Sequence, residues 1–398
     1  MRHDAVADAA GAEGLAGEAT LDRAAIVAVV LGISAFAVAQ GLTYPLISLS
    51  LERLGVSASL IGLNAAVFAA GLAAATLLIR HLTTRLRGDA LIVAALGGCS
   101  LALAAFSLAD SLLVWFAARL LLGLCAGTVF ILSEAWLHAA CPDHIRGRVS
   151  GIYGAGMCLG FAAGPVAIPL VGTAHGFAFA MTAIYVAVVA FTTALLARRA
   201  RTRPESVPAG ALFEVLRRWP VLPVMVLAFG FADIAAISGM PIYFVRIGHS
   251  ESFAALSVTV LALPTAFAQP VVGYLLDTLP RLKVGIGAGV MAAGGFLLLP
   301  LVRSDAAILL VFAVIGAASF AVMTAALTLL GERASGGLLV AGTALFSLAY
   351  AGGSASGSII TGLAMEVFAP SAAPVAVGLV LLALSLSFLA DGRARLPS

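Results

Sequence analysis

The chain has 398 residues, 62% of them hydrophobic and only 10% charged, with a formal net charge of +3. A soluble globular chain carries about a quarter charged residues, so this composition excludes an ordinary water-soluble domain and turns most side chains toward lipid or other buried helices. The basic residues sit in short clusters between apolar stretches, not in one patch, which leaves no footing for nucleic-acid binding.

In chain order, residues 1–23 come first. They are rich in Ala and Gly, carry Asp4, Asp8, Glu13, Glu18 and Asp22, and hold too little apolar surface to fold, so they read as a disordered cytoplasmic tail. The apolar run that follows is too long for a signal-peptide core and has no clean small-residue cleavage site. A membrane-crossing helix needs roughly 20 mostly apolar residues. Twelve segments qualify: 24–51, 59–79, 89–109, 112–138, 149–171, 177–197, 219–245, 253–276, 284–302, 306–330, 338–365 and 373–390. The pairs 89–109/112–138 and 284–302/306–330 are split because each unbroken run is about twice the length of one crossing.

The longest internal polar stretch, 198–218, divides a first bundle of six helices (24–197) from a second (219–390), and 391–398 forms a short C-terminal tail. With the N-terminus cytoplasmic, eighteen of the 22 Lys and Arg residues fall on the inner side, three (Arg53, Arg246 and Arg303) on the outer side, and Arg119 inside a helix. Positive charge gathers on the cytoplasmic side of membrane proteins, so both termini are expected inside.

The halves also match each other. At a constant offset of 193, eight identities fall within 29 positions without a gap, and they include the loop Arg53-x-Gly55-x-Ser57-x-Ser59 against Arg246-x-Gly248-x-Ser250-x-Ser252. Internal repeats are common in transporters. The same offset places Gln40 of helix 1 opposite Asp233 of helix 7.

Two six-helix halves joined by a basic linker resemble the major facilitator superfamily. Its Gly-x-x-x-Asp-x-x-x-Arg type loop stands between helices 8 and 9 as Gly273, Asp277, Arg281 and Lys283. Between helices 2 and 3 the copy is degraded: Arg80 and Thr84 replace the Gly and Asp, while Arg85 and Arg87 remain. Helix 4 carries Arg119, Gly123 and Gly127, similar to the Arg-x-x-x-Gly pattern of proton-coupled members. Helix 5 carries Gly151, Gly160, Gly164 and Pro165, similar to the start of the exporters' pattern, with Ile168-Pro169 where the closing Gly-Gly would stand. The resemblance implies an all-α membrane protein with twelve transmembrane helices in two pseudo-symmetric bundles around a central cavity, in a bacterial inner membrane. It also implies gating by Arg85, Arg87, Gly273, Asp277, Arg281, Gly160, Gly164 and Pro165, and a monomer that moves a small-molecule solute and protons.

Charges inside a span are costly, about 2.5–3.5 kcal/mol on insertion scales, and so mark pathways or partners. Asp233, midway along helix 7, is expected to be a proton or cation site, or else a carboxylate fixed for packing. Arg119 and Glu134 lie fifteen residues apart on helix 4, on one face but roughly 22 Å apart, with Phe130 between them. Arg119 fits a coupling role or a snorkelling arginine. Glu134 fits a coupling role or a cytoplasmic gate network with Arg146. Gln40, Tyr44, Asn64, Tyr153, Gln269 and Tyr350 are polar residues on cavity-type helices and join Phe130 as candidates for solute contact, although polar residues in spans commonly bond another helix. Gly156, Gly160 and Gly164, with Gly352, Gly353 and Gly357 in helix 11, have the spacing for close helix approach.

Cys99, Cys125, Cys141 and Cys158 lack metal-ligand spacing, and His81, His138 and His144 do too, so neither a metal nor a cofactor is expected. No hydrolase, metalloprotease or nucleotide-binding motif occurs, which excludes an enzyme reading. The leading expectation is proton-coupled export of a small apolar or cationic organic solute. An importer of a polar or anionic metabolite, and a non-transporting sensor or assembly subunit on the same fold, stay open.

Overall fold

The computed structural model describes residues 22–393 apart from 110, 142, 174–175, 203–211 and 335. Among the described residues the chain is helical throughout, with no strand. The first six long helices are α1 (Arg23–Arg53), α2 (Ala58–Arg85), α3 (Gly88–Leu108), α4 (Leu112–Ala140), α5 (Asp143–Ala163) and α6 (Phe177–Ala197). Beyond α5 the chain continues through a 3-10 turn, Gly164–Ala167, into Ile168–Val171. A short linker helix, Leu212–Arg218, precedes α7, which runs as Val221–Ile234, a π-helical turn Ala235–Gly239 and Met240–Arg246. The last five are α8 (Glu251–Thr278), α9 (Arg281–Leu298), α10 (Asp305–Arg333), α11 (Gly336–Val367) and α12 (Ala372–Arg393).

Each of the twelve apolar segments falls on one of these helices. Among the described residues, ten helices are long and apolar enough to cross a membrane, and α8 is an eleventh when its two arms are taken as one span. Those arms meet at a 42° bend between Thr265 and Phe267, flanked by Pro264 and Pro270, each of which removes a backbone donor from the helix. In hydrocarbon every backbone polar group must be satisfied within the segment, which is why long apolar runs fold as unbroken helices and why the breaks coincide with Pro and Gly.

The repeated loop has the same physical content twice. Gly55 and Gly248 hold positive φ, 74° and 102°, a conformation that glycine tolerates and that ends α1 and α7. Two residues on, the Ser57 hydroxyl accepts from Leu60 N–H at 3.4 Å and the Ser250 hydroxyl from Phe253 N–H at 3.1 Å, capping α2 and α8.

Helix α1 packs against α5, α6 and α4; α3 lies against α4 and α6; α7 packs against α11, α10 and α12; α9 lies against α10 and α12. The six helices before the linker meet the six after it where α2 lies along α11 and α5 along α8.

The expected disordered tail, 1–23, lies outside the described residues except for Asp22 and Arg23, and these two are ordered. Asp22 caps α1 through Oδ1, which accepts from Ala25 N–H at 3.1 Å. Its Oδ2 accepts from the backbone N–H groups of Arg201 (2.6 Å) and Thr202 (2.7 Å) and from the Thr202 hydroxyl (3.0 Å). Trp136, fully buried, donates its indole N–H to Thr202 O at 2.9 Å. The linker therefore begins pinned to the first six helices. Burial pushes the Asp22 carboxyl up, but the hydrogen bonds from Thr202, Ala25 and Arg201 outweigh it and hold the group below the ordinary aspartate value.

A depressed folded-state pKa contributes stability that is complete above the unfolded value of about 3.9 and is lost as pH falls through the folded value. Asp22→Ala is expected to lower the melting temperature at pH 7 by the equivalent of about 1–2 kcal/mol for the lost cap. Its deficit relative to wild type should shrink below about pH 4. Thermal unfolding in detergent across that range reads the effect, and a deficit independent of pH would assign the loss to packing and not to the carboxylate.

Candidate functional site

Glycines set how closely the helices of the centre approach. A Cβ at Gly160 would clash with Ser34 O of α1, and one at Gly164 with Val38 O. A Cβ at Gly353 would clash with Leu227 O of α7, and one at Gly357 with Phe231 O. Likewise Gly123 of α4 abuts Phe68 O of α2, and Gly316 of α10 abuts Leu261 O of α8. Small residues at such crossings let backbones touch.

This packing positions the polar residues. Gly230 of α7 abuts the Tyr350 backbone of α11, and Asp233 lies one turn further on the same face. The Tyr350 hydroxyl consequently donates to Asp233 Oδ2 at 2.8 Å. Phe229 completes this side, 5.7 Å from the Tyr350 ring and 5.6 Å from Phe320 of α10. Asp233 is half-buried and lies two residues before the π-helical turn, the widened kind of turn often found at functional sites.

On the other side, the Gly123–Phe68 crossing brings the Phe68 ring under Arg119, one turn away on α4. The Arg119 guanidinium lies 5.0 Å from the Phe68 ring centre and 5.4 Å from that of Tyr44, within cation–π range. Tyr44 meets Phe68 edge-on at 5.3 Å and Phe161 of α5 at 5.9 Å. Arg119 is 1% exposed, and its Nε and Nη1 find no hydrogen-bond partner among the described residues. Gln40 and Asn64 are also buried, with Gln40 Nε2 and Asn64 Nδ2 unpartnered in the same sense. Tyr44 lies within electrostatic range of both Arg119 and Asp233. Tyr44 thus stands between a cationic half and an anionic half of one central cluster.

The two sets of helices are sealed at one end, where α1 passes into α2. Ser48 and Ser238 share a hydrogen bond of 2.7 Å, and the Thr259 hydroxyl donates to Ala162 O at 2.8 Å. At the rim Arg246 holds Glu52 with two bonds of 2.8 and 2.9 Å. Arg53 donates to the Thr173 hydroxyl at 3.1 Å, Thr173 donates to Glu251, and Ser59 N–H donates to Glu366 Oε2 at 2.9 Å. The gap left beside Gly62, Ser238 and Gly362 has about 10 Å³, too little for anything beyond about one water. The bonds of Ser48, Thr259, Arg246, Glu251 and Glu366 thus join the first six helices to the last six at this end.

Of these bonds the bidentate Arg246–Glu52 pair is the strongest, because charged hydrogen bonds are worth about 1.5–3 kcal/mol. The Arg53–Glu251 pair, 3.9 Å apart and half exposed, contributes little. Arg246→Gln is therefore expected to shift the seal toward opening by about tenfold or more. A cysteine at Ser238, labelled by a membrane-impermeant maleimide from the sealed face, reads this as a rise in labelling rate.

The other expected site residues have surroundings of their own. Glu134 is exposed, contacts neither Arg119 nor Asp233, and is an electrostatic neighbour of half-buried Tyr153 instead. Phe130 packs on Phe36 at 5.8 Å. Gln269 accepts from the Thr324 hydroxyl at 3.1 Å. Arg85 and Asp277 are exposed. Arg87 pairs with Asp89, at 3.1 and 2.6 Å, and Arg281 pairs with Glu332 of α10 while donating to Leu276 O. Gly273 is half-buried and open, whereas Gly160, Gly164 and Pro165 are buried in the seam with α1. Sequence reasoning missed Phe68, Phe161, Phe229, Glu52 and Glu332. The matched Arg53/Arg246 loop was the available signal for Glu52, its neighbour in the chain.

An apolar helical bundle, sealed at one end over a buried polar cluster, has the build of a membrane transporter. The Major Facilitator Superfamily profile matches residues 29–358, and the chain belongs to that superfamily, whose members are transporters and not enzymes. It is 27% identical over 352 residues to the uncharacterized MFS-type transporter YfkF of Bacillus subtilis (strain 168), covering 86% of this chain and 88% of that one. Its fold is similar to that of a bacterial homologue of the human lysosomal transporter Spinster in an inward-facing, occupied conformation, with TM-score 0.74, 17% identity and coverage of 93% and 94%. It is also similar to the nucleoside transporter NupG, with TM-score 0.76, 13% identity and coverage of 93% and 99%.

Proposed function

We propose that the chain is a twelve-helix, proton-coupled secondary transporter that exports a small apolar or cationic organic solute by alternating access. The observation that carries this reading is Asp233, a carboxylate midway along α7, half-buried among Phe229 and Tyr350 and without a basic partner among the described residues. An acid in such a place binds a proton or an organic cation, not both, and that competition is what coupling requires. Pseudo-symmetry of the halves is supported by the glycine crossings. Gly160 on Ser34 and Gly353 on Leu227, Gly164 on Val38 and Gly357 on Phe231, and Gly123 on Phe68 and Gly316 on Leu261 each differ by 193, the offset of the sequence repeat.

The Lys and Arg distribution orients the sealed end outward, with both termini cytoplasmic in a bacterial inner membrane. In that orientation this conformation faces inward, and its likeness to the inward-facing Spinster homologue supports the same reading. In this reading the protein acts as a monomer. The test uses purified protein in proteoliposomes with tetraphenylphosphonium as the cationic probe. Outward-directed probe flux is expected to acidify the opposite compartment, and everted vesicles are expected to accumulate the probe. Flux without proton movement would remove the coupling, and accumulation only in intact cells would reverse the direction.

A second reading rests on Arg119, a buried guanidinium with no carboxylate beside it among the described residues. It favours uptake of a carboxylate-bearing metabolite, which would show as anion uptake in intact cells that Arg119→Gln abolishes.

A further inference from the structure

We propose that a groove on the outer wall of the first six helices, between the start of α3 and the end of α6, holds one anionic phospholipid. Its phosphate would lie between Arg87 and Arg198, and one acyl chain would run along Ala90, Val93, Ala94 and Ala194. The groove has about 340 Å³. Helix α3 begins at Gly88 and α6 ends at Ala197, so the mouth stands at the boundary between hydrocarbon and water. The alanines make the groove: at these positions two packed helices carry side chains too short to close the space between them.

The charges fit one phosphodiester. A guanidinium has five N–H donors. Arg87 gives Asp89 its Nε and one Nη2 hydrogen, and the rest of a side chain that is 57% exposed stays available. The Asp89 side chain is 9% exposed, so the mouth presents mainly Arg87 and Arg198. Arg198 is exposed and forms no ion pair among the described residues. The apolar walls continue the outward face of α6, where Val188, Phe191 and Leu195 are 54%, 63% and 44% exposed. An acyl chain entering from the bilayer thus reaches the groove without leaving hydrocarbon. Basic pockets between spanning helices at the interface are suited to anionic headgroups. Choline and ethanolamine headgroups carry an ammonium that the same arginines repel, so phosphatidylglycerol and its relatives are favoured over phosphatidylcholine.

Native mass spectrometry of the full chain released from detergent, with phosphatidylglycerol or phosphatidylcholine added in turn, tests this. Wild type is expected to retain one phosphatidylglycerol in preference to phosphatidylcholine. Arg198→Gln should weaken retention about fivefold, the loss for one arginine near a membrane surface. Ala94→Phe, which fills the groove without touching charge, should weaken it comparably. Both positions are at the surface, and unchanged melting temperatures confirm that the fold is kept. Equal retention of the two lipids, or no loss in either variant, overturns the proposal. Loss in Arg198→Gln alone, with inorganic phosphate competing, would mean a free anion site and also overturns it. Loss in Ala94→Phe alone would mean an uncharged chain and overturns it as well.

Discussion

Asp233→Asn is expected to abolish transport driven by a pH gradient while leaving solute-for-solute exchange in place. Asparagine keeps the volume of the side chain and an oxygen to accept the Tyr350 hydroxyl hydrogen bond of 2.8 Å, so the α7–α11 contact survives. What it loses is the proton. If Asp233 must bind a proton to complete one half-cycle and release it for the other, gradient-driven flux falls at least about tenfold, a barrier change of roughly 1.4 kcal/mol. Exchange of labelled for unlabelled solute requires no net proton transfer and persists. Proteoliposomes preloaded at one pH and diluted into another distinguish the two modes. A mutant that still follows the pH gradient as wild type does would sink the coupling role, and a mutant that loses both modes would make Asp233 a binding residue alone.

Arg119→Met is expected to give a protein that is more stable and inactive. The guanidinium is 1% exposed, lies over Tyr44 and Phe68, and leaves Nε and Nη1 without partners among the described residues. Removing a charge from water costs several kcal/mol, and the cation–π contacts return only about 2 kcal/mol or somewhat more. Methionine fills much of the same volume without that cost, so stability rises by about 1–4 kcal/mol, the range found when buried charges are replaced by apolar groups. A residue kept at that expense is kept for its chemistry, and solute-driven flux should vanish. Melting temperature and flux measured on one preparation decide the matter. A variant that melts lower than wild type would show Arg119 to be a structural residue with a partner.

The sequence made the helices legible because apolar runs of about 20 residues have one physical solution in lipid. It also made Asp233 and Arg119 legible, because a charge inside such a run stands out against its neighbours. Tyr44 and Tyr350 stood out more weakly, as polar groups among apolar ones. Phe68, Phe161 and Phe229 could not be found this way: in a chain with 21 phenylalanines, one more apolar ring carries no contrast, and only the three-dimensional crossing shows which rings surround the charges. Contacts that join distant parts of the chain were hidden for a related reason. The loop motif around Gly273, Asp277 and Arg281 gave no sign of Glu332, which reaches Arg281 because α9 begins where α10 ends. Glu134 shares a helix face with Arg119 in the sequence pattern, but distance along the axis puts it at the far end and in solvent.

The pinned start of the linker sets a length limit. Thr202 is fastened to Asp22 and Trp136, while the helix Leu212–Arg218 packs against α11. Ten peptide steps join Thr202 to Leu212, and a fully extended chain of that length spans about 35 Å. The proposed alternating access would therefore open this end only within that reach, like a leash. Shortening the segment 203–211 by a few residues should leave folding alone until the leash becomes taut, and then restrict opening abruptly.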